Sequence, residues 1–356
     1  MAQGLRILLL IPHLGGGGAE QVIALLARGL SRQKYDVHLG LVTESDAGPN
    51  DLPPWVTVHP LGARRVRAGA IRLLRLVWRL KPDVILSGMA HLNFLVLLLR
   101  PFFPRETRVL VRQNGTVSSA LAFGGLPRGT GLLYRLLYRH ADRIICQTRS
   151  MAADLSSELG IQKKQIVVLP NPVDLDGIRA AGSAPDQWSG TGPHLLAVGR
   201  LAKEKGFDLL LQALATVRER FPQADLIIAG KGPEEAALRA QCRSLGLESA
   251  VQFPGYVDRP YLFYPGASLF VLSSRQEGLP NALLDAIAAG QPNDAMPASG
   301  GVVDLLRGRP GAWLAPQISA TALATEFFGA LDTLDPGQRF FVPSSSAASL
   351  DSATAA

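Results

Sequence analysis

Apolar positions in this chain follow two different periods in turn. The runs LRILLLI (5–11), DVILS (83–87), RVLVR (108–112) and DRIICQ (142–147) carry apolar side chains toward both faces. Such strands are covered on both sides, as in a parallel sheet flanked by helices. Between and around them, 19–30, 70–80 and 132–140 show helical periodicity, and 37–42 reads as one more strand. The stretch 92–99 is strongly apolar but is closed by Arg100 and Pro101. It falls well short of the ~20 residues of a membrane span and reads as a buried helix.

After Pro170-Asn171-Pro172 comes a polar stretch, 181–193, and then the alternation restarts. Strands are expected over 194–198, 225–229, 251–253 and 269–273, with helices over 206–221, 234–245, 281–289 and 321–334. The pattern predicts an α/β chain of two doubly wound, Rossmann-like parallel-sheet domains, 1–180 and 181–342. The closing segment 343–356, PSSSAASLDSATAA, lacks the apolar area to pack and is expected to be disordered. No repeat of 20 to 50 residues is visible, which argues against a solenoid.

Composition narrows the class. With 356 residues, 47% of them hydrophobic and 18% charged, there is ample core for two domains. Cys146 and Cys242 stand far apart without CxxC spacing, so neither a disulfide framework nor a cysteine zinc site is indicated. The first residues form little of a charged leader, and the apolar run 7–11 ends at Pro12. A cytoplasmic protein is expected. The net charge of +7 divides into +11 before residue 181 and −4 after it, so the basicity belongs to the first half.

Ligands of open parallel sheets bind beyond the carboxyl ends of the strands. After the first strand, Pro12-His13-Leu14 leads into four glycines, 15–18, and a helix beginning Ala19-Glu20. Glycines allow close backbone approach and the helix start attracts anions, so a phosphate loop is one reading and a tight turn the other. The spacing is not the dinucleotide G-x-G-x-x-G pattern. In the second half, LLAVG runs into Arg200, Lys203, Glu204 and Lys205, a group of cations that an anion such as a diphosphate would neutralise. Arg275-Gln276-Glu277-Gly278-Leu279-Pro280 then opens the helix NALLDAIAAG, another anion cradle. Glu277 and Asp285, eight positions apart, can both accept hydrogen bonds from ligand hydroxyls. Phosphates and hydroxyls together describe a sugar nucleotide.

Six segments in order, GGGGAE (15–20), NPVD (171–174), GRLAKEKG (199–206), AGKGP (229–233), GYV (255–257) and EGLPNALLDA (277–286), resemble the retaining glycosyltransferases of family 4. That family has the GT-B fold, two Rossmann-like domains facing across a cleft, and an E-x7-E signature. Here the second acid is Asp285. The resemblance implies that Arg200 and Lys205 hold the donor diphosphate, Glu277 binds the transferred sugar and Asp285 takes the ribose hydroxyls. Gly16 and Gly17 would close on the phosphates, Gly278, Leu279 and Pro280 would complete the helix-start cradle, and Tyr256 would sit at the base-binding edge. It further implies departure of the sugar with retained configuration, no obligatory nucleophile and no metal. The donor would be a nucleoside-diphosphate sugar, UDP favoured over GDP, with no separate cofactor. The only D-x-D, Asp174-Leu175-Asp176, begins in a turn and is not read as a metal site.

For the acceptor, His91 follows one strand and Arg112-Gln113-Asn114 another, with His13 after the first. His91 is the candidate general base and His13 a weaker one. Similar enzymes often carry a histidine where this chain has Gln113, which cannot titrate. The segment 64–81 carries seven cations and no acid, and Arg72, Arg75 and Arg79 lie about one turn apart. A solvated helix face is one reading; docking on an anionic membrane, with a lipid-linked acceptor, is the other. No aromatic-interleaved RNA motif or zinc finger accompanies these charges, so nucleic acid is not expected.

Two features depart from the family pattern. Where a β-like run such as P-V-V-A-T is expected, the chain reads Pro292-Asn293-Asp294-Ala295-Met296-Pro297, and Asn-Asp inside a buried strand conflicts with its surroundings. The helices that usually cross back to the first domain are also missing after 321–334. The leading expectation is a membrane-peripheral hexosyltransferase of cell-envelope or polysaccharide synthesis. A catalytically impaired sugar-nucleotide or polyanion-binding scaffold and a Rossmann dehydrogenase are the rivals.

Overall fold

The structure, a computed structural model, describes residues 4–15, 17–43, 52–123, 129–183, 185, 187–334 and 339–340. Gly16 and the tail 343–356 lie outside the described residues. The chain forms two compact units, one up to Pro172 and the other from Val173.

The first unit runs β1 (Leu5–Ile11), α1 (Gly18–Gly29), β2 (Tyr35–Thr43), β3 (Thr57–Ala63), α2 (Ala70–Leu80), β4 (Val84–Ser87), α3 (Ala90–Leu99), β5 (Arg108–Gln113), α4 (Val117–Phe123), α5 (Thr130–Tyr138), β6 (Arg143–Cys146), α6 (Arg149–Leu159) and β7 (Ile166–Val168). Its seven strands are ordered β3-β2-β1-β4-β5-β6-β7, and every neighbouring pair is parallel. The all-apolar character of β1 has a direct cause. Leu8 and Leu10 join the core that includes α2 and α3, while Leu9 and Ile11 join the opposite one with Ile23 and Ala27 of α1.

The second unit runs α7 (Leu175–Ala181), β8 (His194–Val198), α8 (Phe207–Arg220), β9 (Asp225–Ala229), α9 (Glu235–Ser244), β10 (Val251–Gly255), β11 (Leu269–Leu272), α10 (Asn281–Ala288), β12 (Asn293–Ala295), α11 (Gly300–Leu306), β13 (Ala312–Leu314) and α12 (Ala320–Thr333). Its six parallel strands are ordered β10-β9-β8-β11-β12-β13. Leu195 and Ala197 face α8 and α12, and Leu196 packs on the α10 side. Residues 173–180, grouped with the first domain on sequence, pack in the second unit. Asp174 caps α7 by accepting the Gly177 N–H at 3.0 Å and takes the Tyr261 hydroxyl at 3.3 Å.

The Pro292–Pro297 segment, expected to conflict with a buried strand, nevertheless forms β12. Backbone pairing to β11 on one side and β13 on the other holds it. The conflict persists in the side chains. Asp294 sits between Val271 and Trp313 with no exposed surface, and neither carboxyl oxygen has a hydrogen-bond partner. Burial raises its pKa well above 3.8 and the charge of Glu326 adds to the rise; the Ala295 N–H offsets part of this without meeting hydrogen-bond geometry.

Candidate active site

In each sheet the strand order reverses once, between β1 and β4 and again between β8 and β11. The loops after those strands open the crevice in which doubly wound sheets bind ligands. In the second unit they are 199–206 and 273–280, the two segments that carry the cations and the acidic signature.

These loops are stitched together. The Ser273 hydroxyl donates to the Lys205 carbonyl at 2.9 Å, and the Arg275 N–H donates to the Glu204 carbonyl at 2.8 Å. Gly206 allows this approach: its φ is +64°, and an added Cβ would stand 2.1 Å from the Ser273 carbonyl oxygen. Lys205 Nζ donates to Glu277 Oε1 at 2.6 Å, and the Ser274 hydroxyl donates to the same oxygen at 2.6 Å. The Glu277 carboxylate is only 9% exposed and the Lys205 side chain 23%. Among the described residues nothing else bonds Glu277 Oε2 or takes the other two ammonium protons, which leaves them to a ligand. Arg200, at the mouth of the same loop, is exposed and has no ion pair among the described residues.

Arg275 braces this pair from behind. Its guanidinium makes two 2.6 Å bonds to the Asp208 carboxylate and a 2.9 Å bond to the Lys203 carbonyl. The arginine lowers the Asp208 pKa and Asp208 raises that of Arg275. Arg275→Ala is expected to lower turnover about tenfold while costing about 1 kcal/mol of stability, small because the pair is partly solvated. Comparing turnover with the thermal midpoint checks this.

Pro280 is the N-cap of α10, and its side chain makes no capping hydrogen bond. The segment after β12 holds the approach to it: the Glu277 N–H donates to the Ala298 carbonyl at 3.1 Å, and the Ser299 hydroxyl to the Gly278 carbonyl at 2.9 Å. Leu279 is buried. Asp285, one turn inside α10, has its pKa pushed up to about 7, first by burial and then by the Asp174 carboxylate. Tyr256 follows β10 at the sheet edge, 45% exposed, with its hydroxyl 3.4 Å from Asp258.

In the first unit, loops after β1, β4 and β5 gather a second group. The Gly15 N–H donates to His13 Nδ1 at 3.0 Å, and Glu20 lies 3.9 Å from the same nitrogen. His91 stands at the start of α3. Burial lowers its pKa, the neighbouring His13 charge adds to this, and Glu20 opposes it. At Gly17 a Cβ would meet Glu20 Oε2 at 2.3 Å, so this buried acid lies directly against the glycine loop. Asn114 is exposed and donates to the Gly88 carbonyl at 2.5 Å. Arg112 departs from the expectation of an open acceptor ligand. It is buried, its guanidinium donates to Asn114 and Asn171, and burial lowers its pKa to about 10. Gln113 is held by the Tyr138 hydroxyl and the Gly115 carbonyl.

The basic helix is also changed in part. Arg72, Arg75 and Arg79 are all exposed on α2, but the Arg72 guanidinium lies back along β3 and donates to the Leu61 and Gly62 carbonyls. Glu20 and Arg275 lie in segments the sequence singled out but were given no role there, and Ser274 and Asp208 were not singled out. Glu20 ends the GGGGAE segment and had a signal. Ser274 stands three residues before Glu277, whereas Asp208 meets Arg275 only through the sheet order.

Comparison with known proteins agrees with this geometry. Residues 16–176 match the model described as Glycosyltransferase Family 4, and 192–332 match Glycosyl transferases group 1. An uncharacterised glycosyltransferase of Methanocaldococcus jannaschii is 26% identical over 62% of this chain, and the match spans 57% of that relative's own length. The Campylobacter jejuni N-acetylgalactosamine-N,N'-diacetylbacillosaminyl-diphospho-undecaprenol 4-alpha-N-acetylgalactosaminyltransferase is 28% identical over 78% of this chain and 77% of its own. Anabaena HepE, solved in complex with UDP and glucose, superposes with a TM-score of 0.75 at 18% identity, over 98% of this chain and 93% of that one. The first matched region lies in the first unit apart from residues 173–176, the other lies within the second unit, and the chain belongs to the GT-B glycosyltransferases of family 4.

Proposed function

We propose that this protein is a retaining glycosyltransferase that moves a hexose or N-acetylhexosamine from a nucleoside-diphosphate sugar to a lipid-linked or polysaccharide acceptor. The carrying observation is the Lys205–Glu277 pair, set beside Arg200 and the start of α10 at the β8/β11 switch point. UDP is the favoured carrier; UDP occupies the similar HepE. Arg200, Lys205 and the α10 start, with Gly278, Leu279 and Pro280, neutralise the charge that develops on the departing diphosphate. Glu277 accepts from hydroxyls of the transferred sugar, Asp285 from those of the ribose, and the Tyr256 segment borders the base. Gly16 and Gly17 take the part that the family resemblance gives them, contact with the donor phosphates. The second unit thus holds the donor and the first the acceptor.

On the acceptor side, the lowered pKa keeps the His91 ring unprotonated near neutral pH, so a ring nitrogen can accept the proton of the incoming hydroxyl, with His13 and Asn114 as further contacts. Arg112 acts through Asn114, which it orients. The C. jejuni relative acts on a diphospho-undecaprenol substrate by its name, which supports a lipid-linked acceptor in cell-envelope synthesis. The protein would then work on the cytoplasmic face of the membrane as a peripheral enzyme. No helix among the described residues is long and apolar enough to cross a membrane.

Thermal-shift screening of nucleoside diphosphates and their sugars tests the donor, since a ligand at 100 times its dissociation constant adds about 2.7 kcal/mol of stability. Release of nucleoside diphosphate should vanish in Glu277→Ala and Arg200→Ala. Donor binding without release in the parent would favour a scaffold, and binding of reduced nicotinamide with no nucleoside diphosphate response a dehydrogenase. A product of inverted anomeric configuration would refute retention.

A further inference from the structure

The exposed face of α2 carries more than charge. Ile71, Arg75 and Trp78 follow one another at i, i+4 and i+7, and Ile71 and Trp78 are 64% and 54% exposed, while Leu73, Leu76 and Val77 fill the core beneath. The indole N–H of Trp78 donates to the Phe102 carbonyl at 2.9 Å, which joins α2 to the 3-10 turn closing α3. Phe102 is 62% exposed, and Leu98, one turn earlier, is 61% exposed. Leu98 in turn borders a groove of about 530 Å³ shared with Pro101, Arg105 and Leu137. Large apolar side chains standing clear of the surface on two adjoining elements form a patch of the kind that marks a partner.

We infer that Ile71, Trp78, Leu98 and Phe102 form an apolar wedge that enters an anionic lipid surface, with Arg75, Arg79 and Arg105 on the headgroups around it. This inference rests on the lipid-linked acceptor proposed above. The charge decides the occupant. The segment 64–81 holds seven cations and no acid, so a second copy of this face would meet its own charge, whereas an anionic leaflet complements it. Tryptophan with its N–H already bonded to a backbone carbonyl suits the boundary between headgroups and acyl chains. The wedge also corrects the charge-only view of α2. The Arg72 guanidinium, though exposed, is engaged with the Leu61 and Gly62 carbonyls, which leaves fewer cations for the leaflet, and apolar insertion supplies a part of the affinity that salt does not screen.

The test is cosedimentation of the full chain with mixed phosphatidylglycerol–phosphatidylcholine vesicles, without donor or acceptor. Trp78→Ser/Phe102→Ser is expected to lower partitioning about tenfold or more, and the parent to keep part of its binding in high salt. Leu98→Ser, outside the Trp78–Phe102 hydrogen bond, should weaken binding in the same direction. Vesicles with brominated acyl chains should quench tryptophan emission in the parent and not in Trp78→Phe. Unchanged partitioning of the serine variants overturns the wedge, as does a parent dimer that these substitutions dissociate in analytical ultracentrifugation. Donor binding, read separately by thermal shift, should be the same in all of them. A failure there refutes the proposed transfer reaction and leaves the vesicle result readable.

Discussion

Replacing Lys205 with methionine should lower the rate of sugar transfer by about 10²–10³, the loss seen when one preorganised donor to a developing negative charge is removed. The same change should destabilise the second unit by about 2–3 kcal/mol. It strands the Glu277 carboxylate, 9% exposed, with only the Ser274 hydroxyl. That is less than the ~3–5 kcal/mol of a fully buried pair because the ammonium keeps some solvent. The double variant Lys205→Met/Glu277→Gln separates the effects: with no buried charge left unpaired, its thermal midpoint should return most of the way to the parent's, and its turnover should not. Recovery of turnover would show that the pair is structural.

Asp294→Val should raise the thermal midpoint by several degrees, an unusual direction for a core substitution. Valine replaces a side chain of similar breadth whose two oxygens have no partner, removing a penalty of about 1–3 kcal/mol, and it suits a central strand between Val271 and Trp313. The pH dependence is the sharper check. Below the ordinary carboxyl value of 3.8, folded and unfolded chains are both protonated. As pH rises past it the unfolded chain releases the proton and the folded chain, whose pKa is raised, keeps it. The unfolded state then binds fewer protons and stability falls. Asp294→Val should flatten this decline and leave the smaller part due to Asp285, whose folded pKa is about 7, and to Glu326. Denaturant titrations at acidic and neutral pH measure the slope; an equal slope in the variant would show that Asp294 ionises in the folded protein. Turnover should change little, because Asp294 points into the core while the backbone after β12 continues to hold Glu277 through Ala298.

Most strands and helices, the parallel sheets and the two-domain plan were legible in the chain because they follow from periodicity: a strand covered on both faces must be apolar throughout, and an amphipathic helix cannot hide its stripe. The short or edge strands β3, β7 and β13 and the helices α4, α6, α7 and α11 were not read, being too short or too weakly patterned to stand out. The glycine loop, the cations after β8 and the acid before α10 were legible for the same reason, since strand ends must turn and short motifs carry their own chemistry. Relations between distant segments were not. That Arg275 grips Asp208, that Arg112 is buried against Asn171 and that Arg72 folds back on β3 depend on which strands become neighbours. No local pattern encodes a partner 59 or 67 residues away. The sequence alone thus determined the principal elements and the chemical groups. Tertiary packing decided which charges are paired, which are left to a ligand, and which apolar side chains stay outside, because desolvation and hydrogen-bond geometry are set only once the sheets have closed.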